Sequence, residues 1–244
     1  MRDSNMRAIL GSEVDANLGD GRVSSWLDRF SQAGDDGLTC QRWLRNSPAK
    51  RCIYEAMYGD LIEGAGRRCV LDVGGGLTAL TRELARRHDY TLVDVLAHDS
   101  PRSAAQMAQA AARDFLVSAD WFRYIPAAAF DLVIANDLFP NVDQRLELFL
   151  ERFLPVAVRI RLSLTVYDEP RHYLARRIDA EEILCMLAWN GADTRRVMER
   201  YLDRIVAPDL TVFERRGASA FPNGRQVVLA ELAGSAAELP SARG

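Results

Sequence analysis

Val70-Leu71-Asp72-Val73-Gly74-Gly75-Gly76-Leu77-Thr78 is the stretch that decides how the rest of this chain is read. A largely apolar strand runs into three consecutive glycines, and a helical pattern from Leu77 to Arg87 begins at once. An ordinary strand-to-helix turn has little use for three glycines. A sharp turn whose backbone is approached closely by a ligand needs them, because a Cβ would block both the turn and the approach. The run therefore predicts a βα unit that holds a nucleotide-like ligand on Gly74, Gly75 and Gly76.

Working outward, Thr91–Val95 reads as the next strand, ending in Asp94, about 20 residues after the turn. In a parallel sheet that acid lies beside the glycine turn, where it can accept both ribose hydroxyls of a nucleoside, with Val95 next to it. Alone, Asp94 reads equally well as a solvated strand-end acid; the glycine turn at this distance makes it a nucleoside site. A dinucleotide fingerprint counted from Gly74 places Ala79 at its third glycine position, a permitted substitute, so the spacing leaves NAD open. Two features favour S-adenosylmethionine. Asp72 precedes the glycines, where it can position the loop and the ligand's ammonium group, and Asp120-Trp121 offers a carboxylate and an aromatic face to adenine.

The surrounding rhythm is strand–helix alternation. Strands are expected at Cys69–Val73, Thr91–Val95, Asp114–Ser118, Phe130–Ala135 and Val156–Val166. Helices are expected at Ser103–Arg113, Asp143–Phe153 and Ala180–Asn190, the last capped by Asp179 and stopped by Gly191. Strands apolar on both faces imply a parallel sheet covered on both sides. Arg196–Val206 and Gln226–Leu232 read as strands without a crossover helix between them, hence antiparallel. Before the alternation, residues up to about Asp20 look loosely ordered, and helices follow near Ser24–Phe30, Cys40–Leu44 and Ala49–Ile62. The expected organisation is a helical extension or lid at 1–65, a ligand-binding domain at 66–233 and a frayed tail at 234–244.

Composition narrows the function classes. A net charge of −3 disfavours nucleic acid, whose backbone is usually gripped by a basic excess. The four cysteines form no Cys-x-x-Cys pair and the three histidines do not join them, so no metal site is expected. No signal-like segment or membrane-length apolar run is present, so the expectation is a cytoplasmic protein without membrane partners.

Taken with Leu92-Val93-Asp94, Ser118-Ala119-Asp120-Trp121 and Phe130-Asp131-Leu132-Val133-Ile134-Ala135-Asn136, the opening stretch resembles the class I S-adenosylmethionine-dependent methyltransferases over roughly 67–232. The resemblance implies an α/β fold, a Rossmann-like doubly wound seven-stranded sheet with an antiparallel C-terminal strand. It implies that Gly74 and Gly76 line the methionine part of the donor, that Asp94 holds the ribose, that Asp120 and Trp121 contact adenine, and that Asn136 lies beside the methyl group. The family's loop usually ends Gly-x-Gly; here it ends Leu77-Thr78, with Thr78 as a tolerated variant.

The catalytic end is read from strand termini. Asn136-Asp137-Leu138-Phe139 is not the signature of enzymes that methylate base amino groups. Asp137, and Asp168, Glu169 and His172 after the next strand, are candidates for a general base or for binding a cationic acceptor; a solvated loop is the plain reading of all four. Trp26, Phe30, Trp43, Tyr54 and Tyr58 are candidates for a lid over the acceptor or for core, and Arg42 or Arg51 for pairing with the donor's carboxylate. The expectation is an enzyme that methylates nitrogen or oxygen of a small metabolite, in specialised-metabolite biosynthesis, with a homodimer as the assembly to test. A non-catalytic nucleoside-binding partner subunit and an NAD-dependent oxidoreductase are the alternatives.

Overall fold

The computed structural model describes residues 6–17, 21–177, 182–215 and 219–236; the cap expected at Asp179 and the tail beyond 236 lie outside them. Five parallel strands form the body of the sheet: β2 (Cys69–Val73), β3 (Asp89–Asp94), β4 (Leu116–Ser118), β5 (Phe130–Ala135) and β6 (Ala157–Val166). β3 and β4 extend to one side of β2, and β5 and β6 to the other. β9 (Gln226–Ala233) runs antiparallel along β6 over eight paired residues, and β1 (Arg7–Ile9) is antiparallel to β9, completing seven strands. The sheet is Rossmann-like and doubly wound, with a reversed C-terminal strand.

Period-two alternation assigns the strand side chains to two cores. Val70, Leu92, Leu132 and Ile134 face one cluster, and Leu71, Val73, Val93, Val133 and Ala135 the other. The first cluster is covered by α2 (Arg22–Phe30), α3 (Thr39–Asn46), α4 (Pro48–Glu63), α5 (Ala79–Arg87) and α6 (Pro101–Ala111). The second is covered by α7 (Leu146–Phe153) and α8 (Gly191–Glu199). α4 starts where chain chemistry favours a start: Ser47 Oγ accepts from the Lys50 N–H, and Pro48 occupies the first helical turn.

Three expectations change. The N-terminal stretch is not loose throughout: Arg7–Ile9 joins the sheet edge and α1 (Gly11–Asn17) follows it. Ala180–Asn190 is not a helix; β8 (Glu182–Ala188) pairs antiparallel with β7 (Arg171–Arg177) in a separate two-stranded sheet. Arg196–Val206 is not a strand: its first four residues are the end of α8 (Gly191–Glu199), and turns follow from 200 to 204. Gly191, expected to stop a helix that ends at Asn190, instead begins α8: Asn190 Oδ1 accepts from the Asp193 N–H, while a Cβ on Gly191 would overlap the Phe213 carbonyl. Of the expected pairing of 196–206 with β9, a single bridge remains, Ile205 to Leu232.

The N-terminal helices are pinned to the sheet layer by a buried ion pair. Arg82 on α5 reaches Asp35 with both nitrogens, at 2.9 and 2.7 Å, and also donates to the Phe30 carbonyl at 2.7 Å. Both side chains are almost wholly buried. Removing one partner strands the other charge. Arg82→Met is expected to lower unfolding stability by about 3–5 kcal/mol in urea titrations; a loss no greater than that of an exposed arginine would disprove this role.

Candidate functional site at the glycine turn

The turn after β2 is built over a buried carboxyl group. Gly74 and Gly76 sit at φ of 72° and 69°, a region that side chains rarely adopt. Gly75 is needed for a different reason: a Cβ there would overlap the Asp72 carboxylate beneath it. Asp72 is 2% exposed and accepts from the hydroxyls of Tyr90 (2.6 Å) and Tyr58 (3.2 Å). Burial pushes its carboxyl group up to about 7, against the two tyrosine donors and with help from the Asp94 charge.

The helix that follows is capped twice. Thr78 Oγ1 accepts from the Thr81 N–H, and the Ala79 N–H donates to Gln41 Oε1 of α3 at 2.8 Å. Cys40, one residue before Gln41, packs against Gly76 so closely that a Cβ on the glycine would meet its sulfur. Burial, with the charges of Asp99 and Asp94, raises the Cys40 thiol to about 12. It stays protonated and is no nucleophile.

A cavity of about 330 Å³ opens over this turn, at the carboxyl ends of the parallel strands where the strand order reverses. At one end lie Asp94, Val95, Asp120, Trp121 and Arg145. Asp94 accepts from the N–H groups of Gly76 (3.1 Å) and Leu96 (2.7 Å), so its carboxylate is aimed by the turn itself. Val95 is an apolar side chain left 62% exposed on the cavity wall. Arg145 bridges Asp120 and Asp143, and its guanidinium covers the Trp121 ring at 4.7 Å. Trp121 is itself buried, edge-on to Phe139 and Phe149, so its ring serves chiefly as a wall.

The other end combines Trp43, Lys50, Asn136, Asp137 and Leu138. Ser163 Oγ donates to Asn136 Oδ1 and accepts from the Asp137 N–H, both at 2.7 Å, which fixes the two residues after β5. Asp137 takes Lys50 Nζ at 2.7 Å and Arg225 at 3.0 Å. Trp43 closes the roof: its ring meets His98 edge-on at 4.9 Å, while Thr39 bonds to Asp99 and to the His98 carbonyl. α3 is thereby fastened to the loop after β3.

The cavity thus gathers Gly74, Gly75, Gly76, Thr78, Asp94, Val95, Asp120, Trp121, Asn136 and Asp137 from distant parts of the chain. It does not gather the rest. Asp72 lies under the turn rather than in the cavity, and Tyr58 lies with it. Arg51 is occupied by the carbonyls of Leu44 and Arg45, and Arg42 by that of Gly37. Asp168 and Glu169 are exposed outside the cavity, Asp168 accepting from Gln226, and His172 is exposed on β7. Trp26 is core and Phe30 packs against it, whereas Trp43 and Tyr54 line the cavity. Among the described residues no cluster of metal-ligating side chains occurs, and no helix is long and apolar enough to cross a membrane.

No motif in the sequence marks Lys50, but its composition does: it is the sole lysine among 31 lysine and arginine residues. Nothing in the sequence around Arg145 marks it as a partner of Asp120, which it meets only in the fold.

No family model and no curated protein matches the sequence. Solved structures do. The 1,6-didemethyltoxoflavin-N1-methyltransferase of Burkholderia thailandensis, solved with 1,6-didemethyltoxoflavin and S-adenosylhomocysteine, is 16% identical, with 96% of this chain and 97% of that chain covered at a TM-score of 0.52. The N-methyltransferase NodS of Bradyrhizobium japonicum, solved with S-adenosylhomocysteine, is 14% identical, covering 86% of this chain and 97% of that one at a TM-score of 0.48. The fold is that of the class I methyltransferases.

Asp72 sets a pH dependence of stability. Its folded pKa, about 7, lies above the ordinary 3.8, so the native state keeps a proton that the unfolded chain releases. Stability is therefore full below the ordinary value and falls as pH rises toward the folded one. Urea unfolding from about pH 5 to about pH 8 is expected to show this loss in the wild type and not in Asp72→Asn; parallel profiles would refute it.

Proposed function

We propose that this chain is an S-adenosylmethionine-dependent methyltransferase that modifies nitrogen or oxygen of a small metabolite in specialised-metabolite biosynthesis. The carrying observation is Asp94, whose carboxylate is held on the cavity rim by the N–H of Gly76, the last glycine of the turn. The residues present fit the donor. Positive-φ glycines leave the turn bare of side chains, an acid suited to ribose hydroxyls stands beside it, and Asp120, Arg145 and Val95 frame a place for the base. The antiparallel β9 departs from an all-parallel dinucleotide-binding sheet, which argues against the NAD reading. The likeness to an enzyme solved with a small heterocycle and S-adenosylhomocysteine supports a small acceptor.

When bound, S-adenosylmethionine supplies a methyl group on a positively charged sulfur, already electrophilic. The protein's task is then to orient, enclose and exclude water. Asn136, anchored by Ser163, and Asp137, anchored by Ser163 and two cations, form a rigid edge beside the glycine turn. Trp43, Ile53 and Tyr54 from the N-terminal helices wall the same space, which supports the reading of residues 1–65 as a lid. With Asp137 engaged by Lys50 and Arg225, and Asp168, Glu169 and His172 outside the cavity, transfer proceeds by positioning, without a base from these residues.

Asp94→Ala is expected to weaken S-adenosylhomocysteine binding by roughly tenfold or more in calorimetry, since a hydrogen-bonded charged acceptor is lost from a closed site. An unchanged dissociation constant would refute the ribose assignment, and binding of NAD in place of S-adenosylhomocysteine would refute the function.

A further inference from the structure

Among the described residues, the Asp137 carboxylate meets two cationic side chains, Arg225 and Lys50. Arg225, with a side chain only 12% exposed, takes both carboxylate oxygens at 3.0 and 3.4 Å and lies against the Phe221 ring at 3.7 Å. Thr165 Oγ1 adds a bond to the same carboxylate at 3.4 Å. Arg225 therefore balances Asp137 from behind, within the protein. Lys50 reaches the same carboxylate from the cavity side, where its side chain is 30% exposed. The surplus positive charge of the trio faces the cavity.

Local structure makes this placement costly without a ligand. Lys50 lies in the first turn of the 16-residue helix α4, where the helix dipole disfavours a cation. The same first turns, through Lys50, Ile53 and Tyr54, face the cavity. Lys50 Nζ also sits 5.6 Å from the centre of the Trp43 ring, which makes one wall apolar and aromatic beside the ammonium group. Every other Lys or Arg position in the chain is arginine, so the compact point charge occurs only here. A partly desolvated surplus cation is stabilised by an incoming anion.

We propose that Lys50 is an anion-binding residue for the methyl acceptor, and that the acceptor is a small aromatic molecule bearing a carboxylate or an equivalent acidic group. The ammonium group of Lys50 pairs with that anion while the Trp43 ring packs against the molecule's apolar body, and Asp137 with Arg225 holds the lysine in place. This rests on the methyltransferase reading above.

The test uses the full chain saturated with S-adenosylhomocysteine, with benzoate and neutral benzamide as probes. Reductive methylation with labelled formaldehyde gives one lysine signal, identified by its absence in Lys50→Met. Benzoate is expected to shift that signal and benzamide to leave it; calorimetry is expected to show benzoate binding weakened roughly tenfold in Lys50→Met and largely retained in Lys50→Arg. S-adenosylhomocysteine affinity should be equal in all three proteins, which also certifies their folding. No benzoate binding, equal binding of both probes, or an unshifted lysine signal would overturn the proposal. So would weakened S-adenosylhomocysteine binding in Lys50→Met with unchanged binding of 5′-methylthioadenosine, because the charge would then serve the donor's own carboxylate. Wild-type chain that binds benzoate but not S-adenosylhomocysteine would support the anion subsite and remove the methyl-donor reading instead.

Discussion

The contact on which the site depends is the Asp72 carboxyl group lying directly beneath Gly75. It is a buried polar group at the end of the central strand, and it is satisfied by two tyrosine hydroxyls from different layers. Tyr90 comes from β3 and Tyr58 from α4, so the same interaction ties the glycine turn to the sheet and to the N-terminal helices. With the turn held from below, its two positive-φ glycines present bare backbone upward. That is why a ligand cavity forms above a strand end that would otherwise be filled by side chains.

From this point the N-terminal helices cease to be an accessory. Gln41 caps α5, Cys40 packs on Gly76, Thr39 and Trp43 bind the loop after β3, and Asp35 neutralises Arg82. Each contact crosses from the first 65 residues to α5, the glycine turn or the loop after β3, and each is polar or sterically tight rather than merely apolar. The first strand goes further and joins the sheet edge against β9, next to the short bridge made by Ile205. The roof of the cavity and the floor of the turn therefore share one packing problem.

Charge in the cavity is distributed unevenly. Near β3 and β4, Arg145 is surrounded by Asp120 and Asp143, and at the turn the Asp94 carboxylate accepts, among the described residues, from the backbone N–H groups of Gly76 and Leu96. At the opposite end two cations share Asp137. On the function and acceptor proposed above, hydroxyl donors belong at Asp94, a neutral or hydrogen-bonding ring near Asp120, and negative charge at Lys50.

What the sequence determined by itself is the sheet around its glycine turn, because strand apolarity, the absence of Cβ at 74–76 and a strand-end acid are local properties that survive any packing. The same locality misleads at Gly191, a residue that punctuates a helix at either end; only the Phe213 carbonyl packed on Gly191 and the β7–β8 pairing decide the direction. The membership of the cavity was likewise out of reach. Asp168, Glu169 and His172 follow a strand end as properly as Asp137 does, but side-chain exposure separates them. Lys50 stands far from any motif in sequence, and it became a site residue only when α4 laid its first turn against the end of β5, since which charges face one another depends on the packing of whole helices rather than on residue spacing.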